Sequence, residues 1–230
     1  FWLFKGIAHL KQKVAEHSEL DVTTLPYNQP LIDWLEEEKL SGKKIVLSTA
    51  ANEKIAKAVV RHFDLFDAFI ASDSKTNLKS ARKRNALQER YGVEGYDYAG
   101  NSNDDLEVWA GASNAIVVNA SENVLKKAST LTSVTQVFRS EQTRIAVWLK
   151  AIRIHQWLKN LLLFVPLLAA HQIGNAQSLV LLVIAFFSFS LCASSVYITN
   201  DLLDLESDRS HPRKKFRPFA SAKLSVLHGV

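Results

Sequence analysis

Apolar and polar positions change their period several times along the chain, and each change marks a different kind of element. Up to about Leu40 the spacing is helical: Leu3, Ile7, Leu10 and Val14 share one face, the loop DVTTLPYNQP leads to a second helix, and Gly42 ends it. Short apolar runs then alternate with helical patterns. They predict strands over 45–47, 68–70, 96–99 and 115–118, with one more over 134–138, and helices over 53–62, 79–91, 104–110 and 122–127. Such alternation predicts a parallel sheet covered by helices, with active-site residues at the carboxyl ends of the strands. After a Ser/Thr-rich stretch and the linker SEQTR, residues 145–154 read as an amphipathic helix at a bilayer interface. Two apolar runs follow, 157–173 and 179–198, the second with 20 uncharged residues, and they predict two membrane spans.

Charge divides the chain the same way. The whole sequence has 28 Lys and Arg against 23 Asp and Glu. From Trp148 onward nine bases face four acids, so the formal net charge of +5 belongs entirely to the C-terminal part. A basic balance confined to the flanks of apolar spans points to a membrane surface and away from nucleic acid. Both outer flanks of the two runs are basic and the loop HQIGNAQ is not, which predicts cytoplasmic flanks and a cytoplasmic N-terminal part. The single Cys192 excludes a disulfide within the chain. With no Met and a start inside a helical pattern, the sequence reads as an internal piece of a longer polypeptide, and its first residues lack the features of a signal peptide.

The densest chemistry is the string NDLLDLESDRSHPRKKFRP, 200–218, directly after the second apolar run. On a helix Asp201, Asp204 and Asp208 fall on one face with Asn200 at its edge. Three carboxylates on one stripe call for a cation, and Mg²⁺ held by carboxylates and phosphate oxygens is the usual solution. Arg209, Arg213, Lys214, Lys215 and Arg217 follow, all phosphate-pairing side chains. A solvated helix end with a basic anchor is the plainer alternative. The string resembles the first aspartate-rich motif of the UbiA superfamily of intramembrane prenyltransferases, N-D-x-x-D-x-x-x-D with a basic R-P loop. RIHQWLKN, 153–160, resembles the R-P-x-Q-W-x-K-N opening of the branch that contains polyprenyl-phosphate phosphoribosyltransferases, with Ile154 in place of Pro. The resemblance covers about the last 80 residues. It implies Asn200, Asp201, Asp204 and Asp208 around Mg²⁺ and diphosphate, with Lys159, Asn160, Arg213, Lys214 and Arg217 toward substrate phosphates. It also implies a polyprenyl diphosphate or polyprenyl phosphate lipid as partner.

The strand ends of the first part carry a second set of polar residues. VLSTA, NLKSARK and YAGNSNDD occur in the order of motifs II, III and IV of the haloacid dehalogenase (HAD) superfamily, and the stretch from about Pro30 to Asn119 resembles its phosphoserine-phosphatase-like branch. The resemblance implies Thr49 and Lys79 as phosphate contacts, Asn101 and Asp105 toward a metal, and a phosphorylated small molecule as ligand. No DxDxT motif for the nucleophile is present, and Asn101 stands where a carboxylate is usual.

These readings predict an α/β HAD-like domain over 1–139 with the remnant of a helical cap, a linker and interfacial helix over 140–154, and the first two spans of an all-α UbiA-type bundle over 155–230. The expected function is Mg²⁺-dependent transfer of a prenyl or phosphoribosyl group in a bacterial-type inner membrane. The rivals are a membrane-tethered HAD phosphatase and a non-catalytic HAD phosphate-binding module.

Overall fold

The computed structural model describes residues 21–73, 76–139 and 144–229. The first predicted helix, with Leu3 to Val14, and most of the SEQTR linker lie outside the described residues. The chain divides into two compact units, Phe1–Ser140 and Glu141–Val230.

In the first unit, α1 (Gln29–Leu40) starts where the Asn28 side chain accepts from the Leu31 N–H, with Pro30 in the first turn. It is followed by β1 (Val46–Asn52), α2 (Glu53–His62), β2 (Ala68–Ser72), α3 (Ala81–Tyr91), β3 (Asp97–Gly100), a 3₁₀ turn (Asn103–Asp105), α4 (Leu106–Trp109), β4 (Asn114–Val118), α5 (Glu122–Leu131) and β5 (Ser133–Phe138). Alternation is as the pattern predicts, and every strand pair is parallel. The expectation of one continuous sheet is corrected: β1 and β2 form one sheet, while β3, β4 and β5 form another in that order. β1 also runs to Asn52, so Ser48 and Thr49 lie within the strand and not beyond its end. The main core sits on the second sheet, where Trp109, Val108, Ala115, Val117 and Ala128 are buried together. Ile32, Ile45 and Leu65 form a smaller one beside the first.

In the second unit, α6 (Arg144–Ala151) leads through Arg153 into a 3₁₀ segment (Ile154–Phe164), then α7 (Val165–Ala169), α8 (Ala176–Leu203) and α9 (Leu205–Ser210). Among the described residues one helix, α8, is long and apolar enough to cross a membrane. At about 1.5 Å per residue its 28 residues exceed the ~30 Å hydrocarbon core. The second predicted span, 157–173, is not a helix of spanning length. The helical stretch ends at Ala169, and just beyond it His171 takes a left-handed conformation; over the 3₁₀ part residues three apart eclipse, so Trp157 and Asn160 line up against α8. Trp157 Nε1 donates to Ser194 Oγ (3.0 Å) and Asn160 Nδ2 to Ser190 Oγ (2.8 Å). Ser194 in turn donates to the Ile152 carbonyl at 2.7 Å. The amphipathic helix is shorter than 145–154, because Arg153 takes a left-handed conformation and ends it.

Candidate functional site

Two sets of polar side chains are built by these elements, one in each unit, and each rests on a local backbone feature. In the second unit the long helix breaks at Asp204, whose backbone closes α8 and opens α9. Burial sorts the three aspartates. Asp201 and Asp208 are buried, their side chains 3% and 1% exposed, whereas Asp204 is exposed. The buried pair meets a single arginine: Arg217 Nη1 donates to Asp201 Oδ1 at 3.1 Å and to Asp208 Oδ2 at 2.7 Å. Arg153 Nη2 donates to the same Asp201 oxygen at 2.6 Å, and Lys214 Nζ lies 3.6 Å from Asp208 Oδ1. Buried carboxylates need such partners, since an ion left bare in a low-dielectric interior costs several kcal/mol.

The loop that delivers Arg217 is held by packing. Phe219 and Leu224 are buried against Val147 and Ala151 of α6, with Ile198, Leu202 and Leu205 beside them. Arg217 thus sits between a one-turn 3₁₀ helix (Lys214–Phe216) and a buried Pro218 and Phe219. Arg153, which the sequence places on the interfacial helix and at the head of RIHQWLKN but not in the site, joins this cluster through Asp201. Of the remaining expected residues, Asn200 and Arg213 are exposed and Lys159 is exposed without an ion pair among the described residues. Asn160 is committed to Ser190.

Whether the acidic residues suit a divalent ion can be judged from their oxygens. Asp201 Oδ1 is taken by two guanidinium groups, and among the described residues no group of three or more His, Cys, Asp or Glu is placed to hold a metal. Asp208 Oδ1 is nevertheless buried without a hydrogen-bond partner, and Asp204 is exposed. Mg²⁺ commonly uses one or two carboxylates with water and phosphate oxygens, so the unpartnered Asp208 Oδ1 suits it better than a stripe of three carboxylates would.

In the first unit a cleft of about 410 Å³ is lined by Asn77, Lys79, Ser80, Lys83, Asn101 and Asp105, among others. Thr49 is not in its lining; its Oγ1 accepts from the Ala51 N–H at 3.0 Å. Lys79 pairs with Asp104 at 3.0 Å, both half exposed. Asp105 is turned inward: Oδ2 accepts from the N–H groups of Asn101 and Ser102 and from Ser102 Oγ, each at 3.0 Å, and Oδ1 accepts from Tyr98 at 2.9 Å. Gly100 makes this possible, because a Cβ there would meet Asp105 at 2.8 Å and Trp109 at 3.0 Å. Lys83 Nζ lies 2.8 Å from the Tyr98 hydroxyl. Burial, with the Asp105 charge second, pushes the Tyr98 phenol well above its ordinary range. The Asn101 side chain is exposed and does not join Asp105 around a common point through any hydrogen bond.

Fold and site together describe a two-part chain: an α/β unit with a polar cleft, and a unit with one span-length helix ending in a buried carboxylate–arginine cluster. No family model matches the chain, and no solved structure does. Over 229 residues, 98% of its length, it is 36% identical to the uncharacterized protein y4nM of Sinorhizobium fredii, and it covers 44% of that protein. Over 83 residues, 35% of the chain, it is 52% identical to nodulation protein NoeC of Azorhizobium caulinodans, covering 26% of it. Over 80 residues, 34% of the chain, it is 44% identical to decaprenyl-phosphate phosphoribosyltransferase of Corynebacterium glutamicum, covering 24% of it. The chain therefore spans less than half the length of these relatives, and the partial matches point to a UbiA-like region within it. The HAD resemblance of the first unit finds no counterpart among these relatives' names.

Proposed function

We propose that the second unit is the N-terminal part of a UbiA-type membrane transferase, which moves a prenyl or phosphoribosyl group between a diphosphate donor and a polyprenyl lipid. The observation that carries this reading is the cluster at the end of α8: two buried aspartates tied by Arg217, with Arg153 and Lys214 alongside. Three cations against two carboxylates leave one positive charge over, at the level where an apolar helix meets the aqueous phase. That surplus favours an anionic headgroup whose lipid tail lies along the exposed apolar face of α8. The partial identity to decaprenyl-phosphate phosphoribosyltransferases supports a polyprenyl phosphate as one reactant and phosphoribosyl transfer as the favoured chemistry.

In this reading the chain's residues act on charge. Arg217, Lys214 and Arg213 neutralise the diphosphate as its C–O bond breaks, and Asp201 and Asp208 aim the cations that do so. Asp204 and the unpartnered oxygen of Asp208 would hold Mg²⁺, which supplies further screening of the leaving diphosphate. The unit sits in a cell membrane with the basic loop and the N-terminal unit on the cytoplasmic side. For the α/β unit we infer binding of a phosphorylated small molecule without hydrolysis, because the carboxylate best placed for a metal, Asp105, already satisfies four donors.

The test uses the full-length parent protein in liposomes with a phosphoribosyl diphosphate donor and a polyprenyl phosphate. Asp208→Asn should abolish transfer, while Glu206→Gln, exposed and outside the cluster, should leave it within about twofold. Undiminished transfer by Asp208→Asn removes the diphosphate-site reading and favours a tethered α/β module.

A further inference from the structure

The three cations of the membrane-unit cluster are held in different ways. Arg153 is fixed from several sides. Its backbone is at φ +52°, its N–H donates to the Lys150 carbonyl and its own carbonyl accepts from Gln156. Its guanidinium lies 4.5 Å from the centre of the Tyr197 ring, and Nη2 is 2.6 Å from Asp201. A planar cation stacked on a ring and bonded at one end has little freedom to turn. Arg217 is held otherwise. One nitrogen, Nη1, serves both carboxylates, and the rest of its five-donor fork makes no hydrogen bond with a described residue.

The pairing has a pattern. Asp201 has Arg153 for itself and Asp208 has Lys214 for itself, while Arg217 is the one cation they share. Taking away either private partner would leave a buried carboxylate dependent on half of Arg217. Taking away Arg217 leaves each carboxylate with a cation of its own, so the shared arginine is the one whose departure exposes no bare charge.

We propose that Arg217 is an exchangeable bridge, which joins Asp201 to Asp208 as seen here and turns its free fork to a phosphate or diphosphate group when one binds, while Arg153 stays on Asp201 as a positioning residue. The proposal rests on the diphosphate reading of the cluster. A guanidinium fork matches two phosphate oxygens at once, which a single shared nitrogen between two carboxylates does not use. Arg153 acts on the ligand only through Asp201: without it Asp201 has no other cation, and Arg217 cannot leave.

That dependence gives a signature that a structural role lacks. In the full-length parent, purified in detergent, inorganic pyrophosphate binding is measured by calorimetry for Arg217→Gln, Arg153→Gln, the double variant and the control Lys223→Gln, an exposed lysine outside the cluster. Loss of charge-assisted hydrogen bonds predicts about tenfold or more weaker binding for Arg217→Gln and no more than about twofold for Lys223→Gln. Arg153→Gln should weaken binding about fivefold in the parent but less than about twofold when Arg217 is already Gln, a coupling that independent sites would not show. Should Arg217→Gln fail to fold, Arg217→Lys keeps the charge without the fork and should bind with intermediate affinity. Tyr197→Phe should behave as the parent, and Tyr197→Leu should reproduce part of the Arg153→Gln loss. Parent-like pyrophosphate binding by Arg217→Gln, or an Arg153→Gln loss of equal size in both backgrounds, overturns the proposal while donor turnover by the parent still supports the transferase. A parent that neither binds pyrophosphate nor turns over donor overturns both.

Discussion

Replacing Asp201 by Asn changes one atom and one charge, and the cluster lets its cost be worked out. The carboxylate is 3% exposed and accepts from Arg153 at 2.6 Å and from Arg217 at 3.1 Å, both on the same oxygen. An amide oxygen in that place still accepts a hydrogen bond but no longer balances either guanidinium. Removing one member of a buried ion pair costs about 3–5 kcal/mol, mostly because the other is left uncompensated. Arg153 and Arg217 keep 23% and 27% side-chain exposure, so water offsets part of that cost and the lower end, about 3 kcal/mol, is expected. Asp204→Asn is the matched comparison: the residue is exposed and outside the ion-pair cluster, and its change should stay within about 0.5 kcal/mol. Denaturant titration of the full-length protein in mixed micelles, followed by tryptophan fluorescence, reads the difference. Equal stability of Asp201→Asn and Asp204→Asn would mean that Asp201 does not hold Arg153 and Arg217 in a buried network.

Other outcomes follow from the same geometry. The Tyr98 phenol, kept neutral by burial in the folded unit, ionises more readily in the unfolded chain near the ordinary value of 10.0, so folding stability should fall as pH rises above that value. Tyr98→Phe should be less stable at neutral pH by about 1–2 kcal/mol, since Lys83 and Asp105 lose their shared partner, and should show a flatter alkaline decline; an unchanged decline contradicts the burial account. The full-length protein should show no Mg²⁺-dependent hydrolysis of phosphomonoesters assignable to the α/β unit, and Asp105→Asn should lower its stability without removing an activity; hydrolysis lost in that variant would reverse the reading. Thiol labelling of intact cells should reach Cys placed at Gly174, on the turn before α8, from outside and should not reach Cys placed at Lys214; the opposite pattern inverts the orientation.

Much of this molecule was legible in the order of its residues. Short apolar runs alternating with helical patterns located the strands β1 to β5, because the residues that pack a covered parallel sheet onto its helices are apolar; they did not give the full extent of β1, which runs on to Asn52. Twenty uncharged residues over 179–198 located α8, because nothing but a helix satisfies its own backbone over that length in an apolar medium. The spacing of Asp201, Asp204 and Asp208 located the chemistry. What the spacing could not say is that the helix breaks at Asp204. A face drawn on the helix puts all three aspartates together, whereas in the fold Asp201 and Asp208 are buried and Asp204 is exposed.

Nor could it say that the cations nearest Asp201 come from 48 residues before it and 16 after it. Pairing at that separation is set by packing, here of Phe219 and Leu224 against α6, which no local pattern encodes. The same holds for Asp105. Its position in YAGNSNDD suggested a metal ligand, but only the fold shows that Gly100 lets it turn inward to Tyr98 and to its own loop. Residue types and their spacing decided which elements form and which side chains carry charge. Which charges meet was decided by tertiary packing, because burying a charge is tolerable only where the rest of the fold brings it a partner.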